Sequence, residues 1–172
     1  KLFSKKDIEG SIRKFLLPLW NSLAFYETYG AKSQKSKSEP PKAKHVLDKW
    51  ILSRLSFVAA GMKSSMDAYD ITEAARALES FVGEDLSQWY IRRSRTRFSP
   101  HHKKELLEAS GVLRFVLENI SRMSAPFIPF LSEIIFERLG QKESVHVASW
   151  PGLGRSFLNS KLETQMVQLR EL

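Results

Sequence analysis

Four arginines, Arg92, Arg93, Arg95 and Arg97, fall within six positions directly behind the pair Trp89-Tyr90. A guanidinium fork binds phosphate oxygens in pairs and also stacks on flat rings. Exposed indole and phenol rings offer faces to unpaired bases. Arginines crowded beside aromatics therefore suit RNA, where phosphates must be neutralised and single-stranded bases held. No acidic residue occurs from Leu86 to Lys104, a window that also contains Lys103 and Lys104. Most of the chain's net charge of +8 is thus local. Charge alone allows RNA, DNA or an acidic membrane surface as the anionic partner. The candidate RNA-binding residues are Tyr90, Arg92, Arg93, Arg95, Arg97, Lys103 and Lys104. The competing reading is that one or two of the arginines tie helices together through Asp or Glu.

Other chemistries find little support. The chain has no Cys, which excludes disulfides and thiolate metal sites. No GxGxxG and no GxxxxGK phosphate loop occurs. The four histidines, His45, His101, His102 and His146, show no metal-ligand spacing with carboxylates. His146, between Val145 and Val147, reads as a half-buried structural residue, and His101 and His102 as part of the basic turn. No apolar stretch reaches membrane-spanning length, and the N-terminus lacks a signal-peptide core. The chain opens without Met and in mid-pattern, as a piece of a longer polypeptide would.

The elements that must position the arginines are helical. Ile8, Ile12, Phe15, Leu16, Leu19, Leu23 and Tyr26 step by three and four, and Gly30 should stop that helix. Residues 31–44, AKSQKSKSEPPKAK, have no apolar period and two adjacent prolines, and read as a basic linker. Its lysines, Lys32, Lys35, Lys37, Lys42 and Lys44, read as a solvated run that could add phosphate attraction. A second stripe runs from Leu47 through Ile51, Leu55, Val58, Met62 and Met66 to Tyr69. The third starts at Asp70, with Glu73 in capping-box register, and runs through Ile71, Ala75, Leu78, Val82, Leu86 and Trp89 toward Phe98, where Ser99-Pro100 breaks it. Gly83 inside it predicts a local kink. A fourth stripe joins Leu106 to Met123, and a fifth helix opens around Pro126 and ends at Gly140. Residues 144–151, SVHVASWP, alternate and read as extended. Leu158, Leu162, Met166 and Leu169 suggest a last helix. The sum is an all-α bundle of four to five long helices, in one domain of 172 residues.

On a regular helix of 100° per residue, Arg93 and Arg97 share one side with Tyr90 between them, and Arg92 and Arg95 occupy the other flank. Trp89 falls on the apolar stripe and reads as core, whereas Tyr90 points away from it and reads as the stacking ring.

An ordered set of segments carries a resemblance. The runs LPLWN (17–21), LDKWILSRL (47–55), YDITEAAR (69–76), LSQWYIRRSRTRF (86–98) and APFIPFLSE (125–133) are followed by SVH (144–146) and by Trp150-Pro151. Together they resemble the anticodon-binding helical domain of isoleucyl-tRNA synthetase, a class I enzyme. The valyl, leucyl and methionyl enzymes share the domain, and WYIRRSRTRF looks most like the isoleucyl branch. The resemblance covers roughly residues 4 to 151, so it implies a bundle over 1–151 and the start of a C-terminal extension over 152–172.

That resemblance implies a partner, the anticodon stem-loop of isoleucine tRNA, and contacts with the upstream catalytic domain and the C-terminal extension of the same polypeptide. It implies a cytoplasmic monomer with no membrane role. The whole enzyme uses ATP to join isoleucine to tRNA; this chain implies no cofactor of its own, because neither HIGH-type nor KMSKS-type sites map onto it. The run Gln34-Lys35-Ser36-Lys37-Ser38 mimics the latter by chance within the linker. The alternatives are the equivalent valyl-tRNA synthetase domain, or a helical protein-interaction module whose basic patch is structural.

Overall fold

The computed structural model of the chain describes residues 5–31 and 41–171. Among these the chain builds six helical rods and no strand. The linker lysines Lys32, Lys35 and Lys37, and the run 34–38, lie outside the described residues. The first rod joins α1 (Lys5–Ser11), a π-helical stretch (Ile12–Leu16) and α2 (Leu17–Tyr29) without a break in helical backbone. Pro18 has no N–H to offer the carbonyl of Lys14, four residues back, and the helix widens just before it. The rod ends at Gly30, whose N–H donates to the Tyr26 carbonyl at 2.7 Å. A Cβ on Gly30 would lie 2.4 Å from that same oxygen. Leu19 and Leu23 are buried, while Ile8 and Ile12, at the start of the predicted stripe, remain exposed.

Helix α3 (Val46–Asp67) follows, with the His45 ring nitrogen accepting from the Leu47 N–H. Tyr69, at φ 61°, turns the chain into α4 (Ile71–Ser80), which Asp70 caps by accepting from the Glu73 N–H at 3.0 Å. The same rod continues as a π-helical stretch (Phe81–Ile91), then α5 (Arg92–Ser94), then a 3-10 turn (Arg95–Phe98). Helix α6 (Lys103–Ser124) runs through the middle of the bundle, and its buried face includes Ala109, Val112, Leu113, Val116, Leu117, Ile120 and Met123. These pack with Trp50, Ile51, Leu55 and Met62 of α3 and Leu78, Phe81, Val82 and Leu86 of the third rod.

Helix α7 (Pro129–Arg138) starts three residues later than the sequence predicts, because the N–H groups of Phe127 and Ile128 both turn back to the Ser124 carbonyl. The expectation of an extended segment at 144–151 is corrected. Val145–Val147 form a 3-10 turn, because the Ser144 hydroxyl and the Val145 N–H both donate to the Glu133 carboxylate. Val145 is buried, but Val147 is 73% exposed and His146 is exposed, not half-buried. Past Pro151 the chain stays on the bundle. Helix α8 (Ser160–Arg170) buries Met166 in the common core, so residue 151 does not mark a break in packing.

Candidate nucleic-acid interface

Four chain segments converge on one end of the bundle. The first turn of α3 meets the end of the third rod through Asp48 and Arg97. The residues just before α3 are tied to α6, since the Lys44 and His45 N–H groups donate to Glu108 at 2.6 and 3.3 Å. The end of α2 is tied there too, by the Ala31 N–H on the Ser110 hydroxyl at 2.9 Å. This end therefore holds the N-termini of α3 and α6, where the helix dipole favours anions; Glu108 and the His45 ring already take N–H groups at the start of α3, whereas no side chain caps α6. Arg92, Arg93, Arg95, Lys103 and Lys104 are all exposed here, with His101, His102, Lys42 and Lys44.

Two of the predicted contacts move to the interior. Tyr90 is 0% exposed and Arg97 5%, so neither side chain presents itself to an RNA. Both bind Asp48, itself 0% exposed. The Arg97 fork donates to the two carboxylate oxygens at 2.7 Å each, and the Tyr90 hydroxyl donates to one of them at 2.8 Å. Burial, then the Asp48 charge, push the Tyr90 phenol well above its ordinary pKa. Burial works to lower the Arg97 pKa, but the hydrogen bonds and charge of Asp48 outweigh it and raise the value.

The cause of the misplacement is the period of the helix. In the π-helical stretch the buried positions are 81–82–83, 85–86 and 90–91, a repeat of four to five residues. A period of 3.6 carried past Phe81 puts Trp89 in the middle of the buried face and turns Tyr90 out of it, whereas the structure buries Tyr90 fully and packs Trp89 at the edge of the core. Trp89 is only partly buried. Its indole N–H points at the Met166 sulfur, 3.2 Å away, and the guanidinium groups of Arg93 and Arg170 lie 4.6 and 5.5 Å from its ring centre. Asp85, buried beneath, receives Arg170 and, at 3.0 Å, Arg54. Glu163 on α8 is held by Ser53 and Arg54.

Arg95 faces the other way. With Ser87 and Ile91 it lines a groove of about 400 Å³ whose far wall is α2, notably Asn21, Phe25, Thr28 and Tyr29. Tyr29 is 55% exposed and stacks obliquely on Phe25, ring centres 5.1 Å apart. Phe25 also meets the edge of Phe98 at 4.9 Å. A solvent-facing phenol, a free guanidinium and amide and hydroxyl groups thus share one concave surface. Such a set can stack and hydrogen-bond an unpaired base while pairing its phosphate. Sequence reasoning missed Asn21 and Tyr29; the available signal was Tyr29 itself, an aromatic ring off the apolar stripe beside the helix-ending Gly30. It also missed Asp48, an acid set among Leu47, Trp50 and Ile51 on an apolar face.

Among the described residues no group of three His, Asp or Glu side chains could hold a metal, and no helix is long and apolar enough to cross a membrane. The family described as the anticodon-binding domain of tRNA ligase matches residues 48–172. The isoleucine–tRNA ligase of Clostridium novyi is 40% identical over 173 residues, covering 95% of this chain and 17% of that protein. The isoleucine–tRNA ligase of Thermus thermophilus is 35% identical over 173 residues, with the same coverage. The chain thus spans about one sixth of the length of these curated relatives (17%). Its fold matches part of the LeuRS chain in the LeuRS–tRNA–LeuAMS complex of Agrobacterium radiobacter K84, with a TM-score of 0.64 at 15% identity, over 89% of this chain and 17% of that one.

Proposed function

The chain belongs to the family of anticodon-binding domains of tRNA ligases, and on that premise we propose that its arginine-bearing end grips the anticodon stem-loop of isoleucine tRNA. The observation that carries the reading is the exposure of Arg92, Arg93, Arg95, Lys103 and Lys104 at the end of the bundle where two helix N-termini emerge. The names of the relatives support isoleucine over valine as the amino acid. The cations neutralise backbone phosphates and fix the register of the RNA, while bases are read by contacts to their edges and faces. An anticodon loop is single-stranded, so a base can turn out into the groove between Arg95 and Tyr29.

On this reading the chain's part is binding, not bond making. The whole ligase joins isoleucine to tRNA at the expense of ATP in segments beyond this chain. Docking the anticodon here holds the acceptor end of the tRNA at that distant site. The chain itself takes no cofactor, contacts the upstream catalytic domain and the rest of the C-terminal region, and works as part of a cytoplasmic monomer.

Filter binding of the 172-residue chain to isoleucine tRNA and to a non-cognate tRNA, at two salt concentrations, tests the reading. Tighter cognate binding that weakens with salt is expected. Equal binding to both would leave the chain a backbone grip without base readout, and no binding at either salt would overturn the proposal.

A further inference from the structure

We propose that Asp48 is a positioning residue for RNA binding: from inside the bundle it clamps both ends of the arginine segment and so sets where Arg95 stands across the groove from Tyr29. The inference rests on the functional reading above. Both hydrogen-bonding partners of the Asp48 carboxylate, Tyr90 and Arg97, come from the third rod. Every exposed arginine of the cluster, Arg92, Arg93 and Arg95, lies between those two clamped positions.

Between the clamps the backbone changes geometry twice, from π-helix ending at Ile91 to α-helix at Arg92–Ser94 to a 3-10 turn at Arg95–Phe98. The three geometries rotate the chain by different angles per residue. Moving either junction by one residue would swing Arg95 around the rod axis. Fixing Tyr90 and Arg97 to one buried carboxylate removes that freedom.

A buried ion pair is a poor way to gain stability, since apolar residues of similar volume do as well or better. This one also leaves polar atoms unserved: Arg97 Nε and the Ser94 hydroxyl are buried without a hydrogen-bond partner. What the arrangement supplies is direction. The turn it holds continues into Phe98, whose ring meets Phe25, and Phe25 in turn packs against Tyr29. The clamp therefore reaches both walls of the groove.

A double-mutant cycle on RNA affinity tests this, using the whole 172-residue chain and an isoleucine-tRNA anticodon stem-loop as the probe. Asp48→Asn removes the charge, and Tyr90→Phe removes one hydrogen bond while keeping the ion pair, so it remains informative where Asp48→Asn fails to fold. Each is combined with Arg95→Ala and measured below its own melting temperature. We expect binding to weaken by about tenfold for Asp48→Asn and about threefold for Tyr90→Phe. Each should weaken it much less once Arg95 is Ala, because most of the effect passes through that residue. Variants that bind like the wild type, or whose losses multiply with that of Arg95→Ala, would make Asp48 structural only and overturn the proposal. A wild-type chain that fails to bind the stem-loop would instead overturn the functional reading on which the proposal depends.

Discussion

Arg97 gives both arms of its fork to Asp48, whereas Arg95, two residues earlier, lines a groove open to solvent. The two should respond differently to truncation. Removing one partner of a buried ion pair leaves the other charge unpaired and costs about 3–5 kcal/mol. Arg97→Ala should therefore lower the unfolding free energy extracted from a urea titration by an amount of that order, and bring the midpoint down with it. Arg95→Ala should leave the midpoint nearly unchanged and lower RNA affinity instead. Tyr90 adds a pH dependence. Its pKa in the folded chain lies well above that in the unfolded chain, because burial and then the Asp48 charge disfavour the phenolate. The folded state then holds a proton that the unfolded state releases above about pH 10. Stability from this source is fully present below that pH and falls as pH rises toward the folded value. Urea melts between neutral and strongly alkaline pH should show the fall, and Tyr90→Phe should reduce it. Part should persist in that variant, because burial also raises the pKa of Tyr26.

Two glycines report on the helices themselves. Gly61 is exposed in the middle of α3 and a Cβ there would meet nothing within 4 Å. Gly61→Ala should raise stability by about 1 kcal/mol through helix propensity. Gly83 is buried where the π-helical stretch of the third rod crosses that of the first, and a Cβ would lie 3.0 Å from the Lys14 carbonyl. Gly83→Ala should gain the same propensity yet lower the melting temperature, because two backbones must move apart. A higher melting temperature for Gly83→Ala would contradict this account of the crossing. The sequence makes most of the helix ends legible: Gly30, Asp70, Ser99-Pro100 and Gly140 each end or start a helix by a local rule. The azimuth of side chains past Phe81 is not legible, because nothing in the apolar pattern announces that the repeat has lengthened. That single change in period carries Tyr90 into the interior and leaves Trp89 at the edge of the core rather than within it. The extended reading of 144–151 failed for another reason, a carboxylate eleven residues upstream of Ser144 that captures a hydroxyl and an N–H. The groove is legible only in part, since Arg95 stands out in the sequence while Asn21 and Tyr29 reach it through packing.

At the scale of the whole molecule, the ends of the first and third rods and the starts of α3 and α6 meet where the exposed cations Arg92, Arg95, Lys103 and Lys104 lie. Residues beyond Pro151 support that surface from behind, with Met166 against Trp89 and Arg170 on Asp85. A chain ending at Pro151 should melt at lower temperature than the full chain, in scanning calorimetry, and should expose Trp89 to collisional quenching. Under the proposed function, the exposed cations at this end bind the phosphates of a tRNA anticodon stem-loop. The most direct measurement is the slope of log affinity against log salt for isoleucine tRNA, compared between the wild-type chain and a chain with Arg92, Arg95, Lys103 and Lys104 all replaced by Ala. Each phosphate that is no longer neutralised should make the slope shallower by about 0.7 to 1. The substituted chain should show a clearly shallower slope and weaker binding, with an unchanged melting temperature. An identical slope for the two folded chains would contradict it and place the RNA, if bound, on another face.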